Sequence, residues 1–144
     1  MIKAIFFDND GVLVDTEKYF FISTQQIMAK IGIDLTEEEF QTHYAHKILL
    51  AIKNGDSFVV GDARGADTLA QEFLDMHDAF QNVVVFHMFD NPRNNVAGFS
   101  TAGGFKNDKD RDAAMTNNSD ADIAWVRLGR EKSGTAKNLA RRNK

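Results

Sequence analysis

Phe58-Val59-Val60-Gly61-Asp62-Ala63-Arg64-Gly65-Ala66-Asp67 is the stretch on which the fold turns. An apolar run beginning at Ser57 stops at a glycine and an acid, and helical spacing of apolar residues then carries from Ala66 to Met76. Strand, glycine turn and helix form the repeating unit of parallel α/β sheets, which hold their ligands at the carboxyl ends of the strands. The same unit opens the chain. Lys3 to Phe7 is apolar on both faces, as a central strand covered on both sides should be, and it runs into Asp8-Asn9-Asp10-Gly11-Val12-Leu13-Val14-Asp15-Thr16.

Working outward, a helix is expected from about Glu17 to Ile31, closed by Gly32. Thr36 with Glu39 three residues on reads as a capping box that opens a second helix. That helix runs to Asn54-Gly55 with a break near Tyr44. A third strand is expected at Val83–His87, a short helix at Lys109–Met115 and a fourth strand at Ile123–Val126. Ser133 caps a last helix whose tail, Lys137 to Arg142, places cations at its C-terminal end. Asp90 to Asp108 holds the only proline and three of the ten glycines, and reads as a long loop. The alternation predicts a three-layer α/β/α sandwich, Rossmann-like, with a mostly parallel sheet of four to five strands. Residues 1–144 are short enough to be one domain around one core.

Composition narrows the function classes. With no cysteine, disulfides and thiolate metal sites are excluded, which fits a cytoplasmic protein. No apolar run approaches membrane-spanning length, and Met1 leads into a strand rather than a signal peptide. The net charge of -4 gives no electrostatic case for nucleic acid. Residues 1–44 carry eight acids against three Lys/Arg, and the remainder thirteen against fourteen, so the balance shifts near Tyr44. An exposed edge strand of such a sheet offers a route to a homodimer.

Asp8 and Asp10, one residue apart past a strand, suit phosphoryl transfer through an aspartyl-phosphate. One carboxylate attacks phosphorus and the other protonates the leaving oxygen. Mg²⁺ would offset the repulsion between attacking carboxylate and phosphate. With Thr16-Glu17 and Gly32-Ile33-Asp34-Leu35-Thr36, residues 1–44 resemble the N-terminus of haloacid-dehalogenase (HAD)-like phosphatases. The resemblance implies Asp8 as nucleophile, Asp10 as acid/base, and Mg²⁺ held by Asp8 and Asp10. Gly61-Asp62 with Asp67 would stand for the family's later acidic element, making Asp62 a further metal ligand, and Lys53 lies just upstream. No strand ending in Ser or Thr fits between Asp15 and Lys53, where that family expects one. Asp8 and Asp10 read equally as a turn, or as an acid pair that binds a cation.

The remaining residues suit a phosphate or nucleotide pocket. Gly61 and Gly65 let backbone approach a ligand, and the helix after Ala66 offers its first amides to an anion. Ser133, Gly134 and Thr135 repeat the arrangement at the last helix, adding hydroxyl donors. Arg64, Arg93 and Arg111 are candidate phosphate forks, with Asn94 beside Arg93, and Asp62 or Asp67 is placed for a ribose hydroxyl. Each has a plainer reading too: a tight turn for the glycines, a helix start for Asp67, an N-cap for Ser133, a loop clamp for Arg93. His87 reads as a bonded structural histidine and Trp125 as core.

The ordered series Gly61-Asp62-Ala63-Arg64-Gly65-Ala66-Asp67, Pro92-Arg93-Asn94-Asn95, Arg111-Asp112-Ala113-Ala114-Met115, Ala121-Asp122-Ile123-Ala124-Trp125 and Ser133-Gly134-Thr135-Ala136-Lys137-Asn138-Leu139 resembles the SLOG superfamily. That superfamily contains the LOG enzymes and the DprA proteins, and the likeness covers residues 45–144. It implies a Rossmann-like domain binding a small-molecule nucleotide or phosphorylated ligand. Asn138 stands where the LOG enzymes carry a glutamate that supports N-glycosidic cleavage, so their hydrolase activity is not implied. The two resemblances meet near residue 44, the pattern of a chimera, natural or engineered. Three functions follow: a nucleotide-binding SLOG-like domain, a Mg²⁺-dependent phosphohydrolase, or a recombined scaffold without evolved activity.

Overall fold

The computed structural model describes residues 2–6 and 35–144. The helix expected at 17–31, and with it Asp8 and Asp10, lies outside the described residues. Strand β1 is Ile2–Phe6. Helix α1 runs through three consecutive segments: α-helical Glu37–Phe40, π-helical Gln41–Ala45 and α-helical His46–Lys53. Then come β2 (Ser57–Gly61), α2 (Ala66–Met76), β3 (Val83–Met88), β4 (Ser100–Phe105), α3 (Asp108–Asn117), β5 (Ala121–Ala124) and α4 (Gly134–Arg142).

The five strands form one all-parallel sheet in the order β4-β3-β2-β1-β5, the centre of a three-layer, Rossmann-like α/β sandwich. The two-residue period of the strands feeds both faces. Phe58, Val60, Val83, Val85 and Ile123 pack with Phe40, Tyr44 and Ile48 of α1 and with Ala70 and Leu74 of α2. Val59 and Phe86 pack the other way, against Met115 of α3. Fully buried side chains such as Phe58, Ile48 and Leu74 each contribute roughly 1.5–3 kcal/mol. From β1 the chain steps outward to β4, with α1 and α2 of its connections on the first face, then crosses back past β1 to β5 through α3 on the second. Right-handed crossovers require that change of face when the direction across the sheet reverses. The reversal makes the carboxyl ends of β1 and β5 the topological switch point.

Several local expectations hold. Thr36 accepts from the Glu39 amide at 3.1 Å while the Glu39 side chain accepts from the Thr36 amide at 2.9 Å, so the capping box is complete. The break near Tyr44 is the π-helical segment. Ser133 caps α4 through the Ala136 amide. The fourth strand in sequence order was missed: β4 lies inside the stretch expected as a loop, 90–108. Ser-Thr-Ala-Gly-Gly-Phe lacks the branched and aromatic density of a strand, and it needs little because β4 is an exposed edge. A bulge between Phe86 and Met88 accommodates its glycines. The strand expected at Ile123–Val126 begins and ends two residues earlier, as β5. No helix among the described residues is long and apolar enough to cross a membrane.

Candidate functional site

Asp62 directly follows β2 and is fully buried. Arg93, on the loop after β3, grips it as a fork: Nε to Oδ2 at 3.1 Å and an Nη to Oδ1 at 2.8 Å, with the Arg93 backbone amide adding a third bond at 3.0 Å. Arg111 of α3 adds a fourth donor to Oδ1 at 2.8 Å. Burial alone would raise the Asp62 pKa. The Arg93 bonds and charge, with the Arg111 bond, outweigh it and hold the carboxyl below its usual range.

The network continues through α3. Arg111, 6% exposed, also meets Asp108 at 3.0 Å and Asp112 at 2.9 Å, and Arg93 reaches Asp108 at 3.0 Å. Asp112 accepts from Asn138 of α4 at 3.0 Å, and Asn138 accepts from Arg141 at 2.7 Å. The connections after β2, β3, β4 and β5 are thereby tied into one polar cluster at the carboxyl edge of the sheet. Asp112 and Asn138 stand in the ordered motif series without a role of their own, and Asp108 only closes the expected loop. Asp108 and Arg111 stand three apart on a helix, the signal that marks such a pair.

Asp67 occupies the first turn of α2, fully enclosed, accepting from the Ala63 amide at 2.8 Å. Its pKa is pushed up to about 7, by burial first, against the pull of Arg111 and the Ala63 bond and with Asp112 and Asp62 adding repulsion. A Cβ on Gly61 would fall on this carboxylate, which is the physical requirement for glycine there. Gln71, absent from the sequence reading, donates to the Gly61 carbonyl at 2.9 Å and accepts from the Val96 amide at 3.0 Å, pinning the 90s loop to β2.

The other expected residues divide. Arg93 and Arg111 join the cluster, where both hold carboxylates. Asn94 donates to Thr68 at 2.6 Å, anchoring the loop to α2. Gly65, at φ 90°, forms the α2 N-terminus, where no side chain caps the helix. Arg64 is exposed on the same turn. Gly134 opens α4, and a Cβ on it would stand 4.0 Å from Asp112. Thr135, 1% exposed, has a hydroxyl with no partner. His87 is buried, its Nδ1 3.2 Å from the Met88 carbonyl and its ring against Gly103, so it is structural. Among the described residues no three His, Asp or Glu are grouped to hold a metal ion. Both Asp62 oxygens serve arginines, so that carboxylate does not fit as a Mg²⁺ ligand in this arrangement.

Beside the cluster, and past the end of β5, lies a small cleft lined by Leu35, Tyr44, Ala66, Trp125 and Arg127. Ala66 adjoins Asp67, so the α2 N-terminus separates cleft from cluster. The Tyr44 hydroxyl bonds the backbone of Trp125, accepting from its amide at 3.1 Å. His43 stacks on the Trp125 ring with centroids 3.8 Å apart, and the Arg127 guanidinium lies 5.8 Å from the ring centre. Trp125 is therefore packed between side chains, close to the core role expected of it.

No protein-family model matches the chain, and neither the curated proteins nor the solved structures yield a match.

Proposed function

We propose that this chain is a SLOG-like domain that binds a nucleotide or a related phosphorylated small molecule at the carboxyl edge of its sheet. The observation carrying the reading is the Thr135 hydroxyl. It is buried at the start of α4 without a partner, a costly state for a polar group that a ligand acceptor or donor would relieve. The cluster beside it supports the same reading. Four carboxylates (Asp62, Asp67, Asp108, Asp112) face two guanidinium groups, so the cluster suits the hydroxyl donors of a sugar better than a phosphate. A carboxyl titrating near neutrality inside such a cluster is a common mark of a functional site.

The test is thermal melting with a panel of nucleotides and sugar phosphates, each with and without Mg²⁺. A true ligand at a hundred times its Kd should stabilise by about 2.7 kcal/mol. Thr135→Val, which removes the hydroxyl at constant shape, should leave the unliganded protein at least as stable and abolish the ligand-dependent rise. If no compound on the panel raises the melting temperature, the reading fails.

A second reading, a Mg²⁺-dependent HAD-like phosphohydrolase using Asp8 and Asp10, draws on the position of β1. That strand lies between β2 and β5 at the switch point, and Asp8 follows its last residue, Phe6, by two positions in sequence. It requires a stabilisation that appears only with Mg²⁺ and disappears in Asp8→Asn.

A further inference from the structure

Arginines at the carboxyl edge differ in what they already hold. Arg111 contacts Asp62, Asp108 and Asp112, and Arg93 contacts Asp62 and Asp108. An anion reaching either would have to displace buried or bidentate carboxylates. Arg127 is differently placed. It lines the switch-point cleft, its guanidinium lies 5.8 Å from the Trp125 ring centre, and its carboxylate partner is Glu39 through one hydrogen bond at 3.1 Å, with both side chains half-buried. A half-buried pair held by one bond is weaker than the two-pronged grip of Arg93 on Asp62 and exchanges more readily for a stronger anion. The other cleft walls among the described residues are Leu35, Tyr44, Ala66 and Trp125, none of them acidic.

We propose that Arg127, and not Arg93 or Arg111, is the residue that takes the ligand's phosphate group, and that Glu39 holds its place until the ligand arrives. The proposal rests on the nucleotide-binding reading and says which end of the ligand goes where. The sugar hydroxyls face the acidic cluster beyond Asp67. The phosphate meets Arg127 at the mouth of the cleft, on the other side of Ala66, taking the place of the Glu39 carboxylate. There the guanidinium of Arg127 donates to phosphate oxygens in a two-pronged fashion that Glu39 does not match, since one Glu39 oxygen serves both Arg127 and the Thr36 amide. Glu39 thus links the start of α1 to the occupancy of the cleft.

Trp125 is the only tryptophan in the chain, so its fluorescence reports this cleft alone. The experiment titrates the protein with adenosine 5′-monophosphate, with adenosine and with inorganic phosphate, reading Trp125 emission and melting temperature in parallel. The monophosphate should change the emission at the concentration that raises melting, phosphate alone should do so more weakly, and adenosine should leave the emission unchanged. Arg127→Ala should weaken monophosphate binding about tenfold or more, and Arg127→Lys by less. Glu39→Gln keeps an acceptor for the Thr36 amide, because Gln also completes a capping box, yet it removes the negative charge that holds Arg127. It should tighten binding several-fold, an effect that a purely structural Arg127–Glu39 pair would not produce. Melting that rises while the emission stays fixed, or binding unchanged in Arg127→Ala, overturns this assignment and leaves the nucleotide-binding reading standing. Absence of any melting shift with the monophosphate or the wider panel overturns both.

Discussion

The carboxylate of Asp67 fills the space that a side chain at position 61 would need: a Cβ built on Gly61 falls on it. The end of β2 and the first turn of α2 are thus locked by one contact, with the Ala63 amide closing the turn onto the same carboxylate. Gly61→Ala should therefore destabilise the protein by about 1–3 kcal/mol, the usual cost of overpacking a tight interior. Urea unfolding measures it directly. A neutral result would mean that α2 shifts freely relative to β2.

Asp67 and Asp62 should impose opposite pH dependences. The Asp67 carboxyl titrates near 3.8 when unfolded and about 7 when folded, so the folded state binds more protons between those values. Its contribution to stability is fully present below about pH 4, falls as pH rises toward about 7, and is then constant. Asp67→Asn retains an oxygen for the Ala63 amide and should flatten that decline. Asp62 is held below 3.8, so its contribution is present above that value and disappears as pH falls through the lower folded one. Melting temperature between pH 3 and 8 for wild type, Asp67→Asn and Asp62→Asn separates the two; identical slopes for wild type and Asp67→Asn would remove the basis for the first.

Loss of Arg111 should cost far more than loss of Arg93. Arg111→Ala removes a buried cation from fully buried Asp62 and leaves Asp112 with Asn138 alone among the described residues, a change worth roughly 3–5 kcal/mol. Arg93→Ala leaves the Arg93 amide and Arg111 both donating to Asp62, so the smaller loss is expected there. Denaturant titration of the two variants ranks them, and the reverse order would contradict the network as drawn.

Gly103 and His87 form a second close approach, across β3 and β4. A Cβ at 103 would overlap the imidazole, so Gly103→Ala should destabilise the edge of the sheet. His87→Ala opens the space, and the double variant should be less impaired than the two single effects added together. Additive effects in this cycle would show that the contact does not limit β4.

The legible part of this chain is the part governed by short sequence spacing. The strand-turn-helix unit at Ser57 to Met76, the Thr36–Glu39 box and the Ser133 cap each depend on contacts within a few residues, so residue order alone predicts them. The edge strand β4 was illegible because its pairing with β3, not its own residues, makes it a strand. In the site, residue type and motif single out Asp62, Asp67, Arg93 and Arg111, but not which of them pair. Asp62 and Arg111 are 49 positions apart, and nothing in their spacing says that they pair.

Residue order, then, determined that this would be a parallel α/β sheet with carboxylates, arginines and glycines gathered at its carboxyl edge. Only the tertiary structure decided which charges neutralise one another. Folding buries Asp62 between Arg93 and Arg111 and leaves Arg127 paired, among the described residues, to Glu39 alone, through one bond, in a half-buried setting. A charged group's availability to a ligand depends on the neighbours that desolvate and pair with it, and those neighbours come from distant stretches of chain.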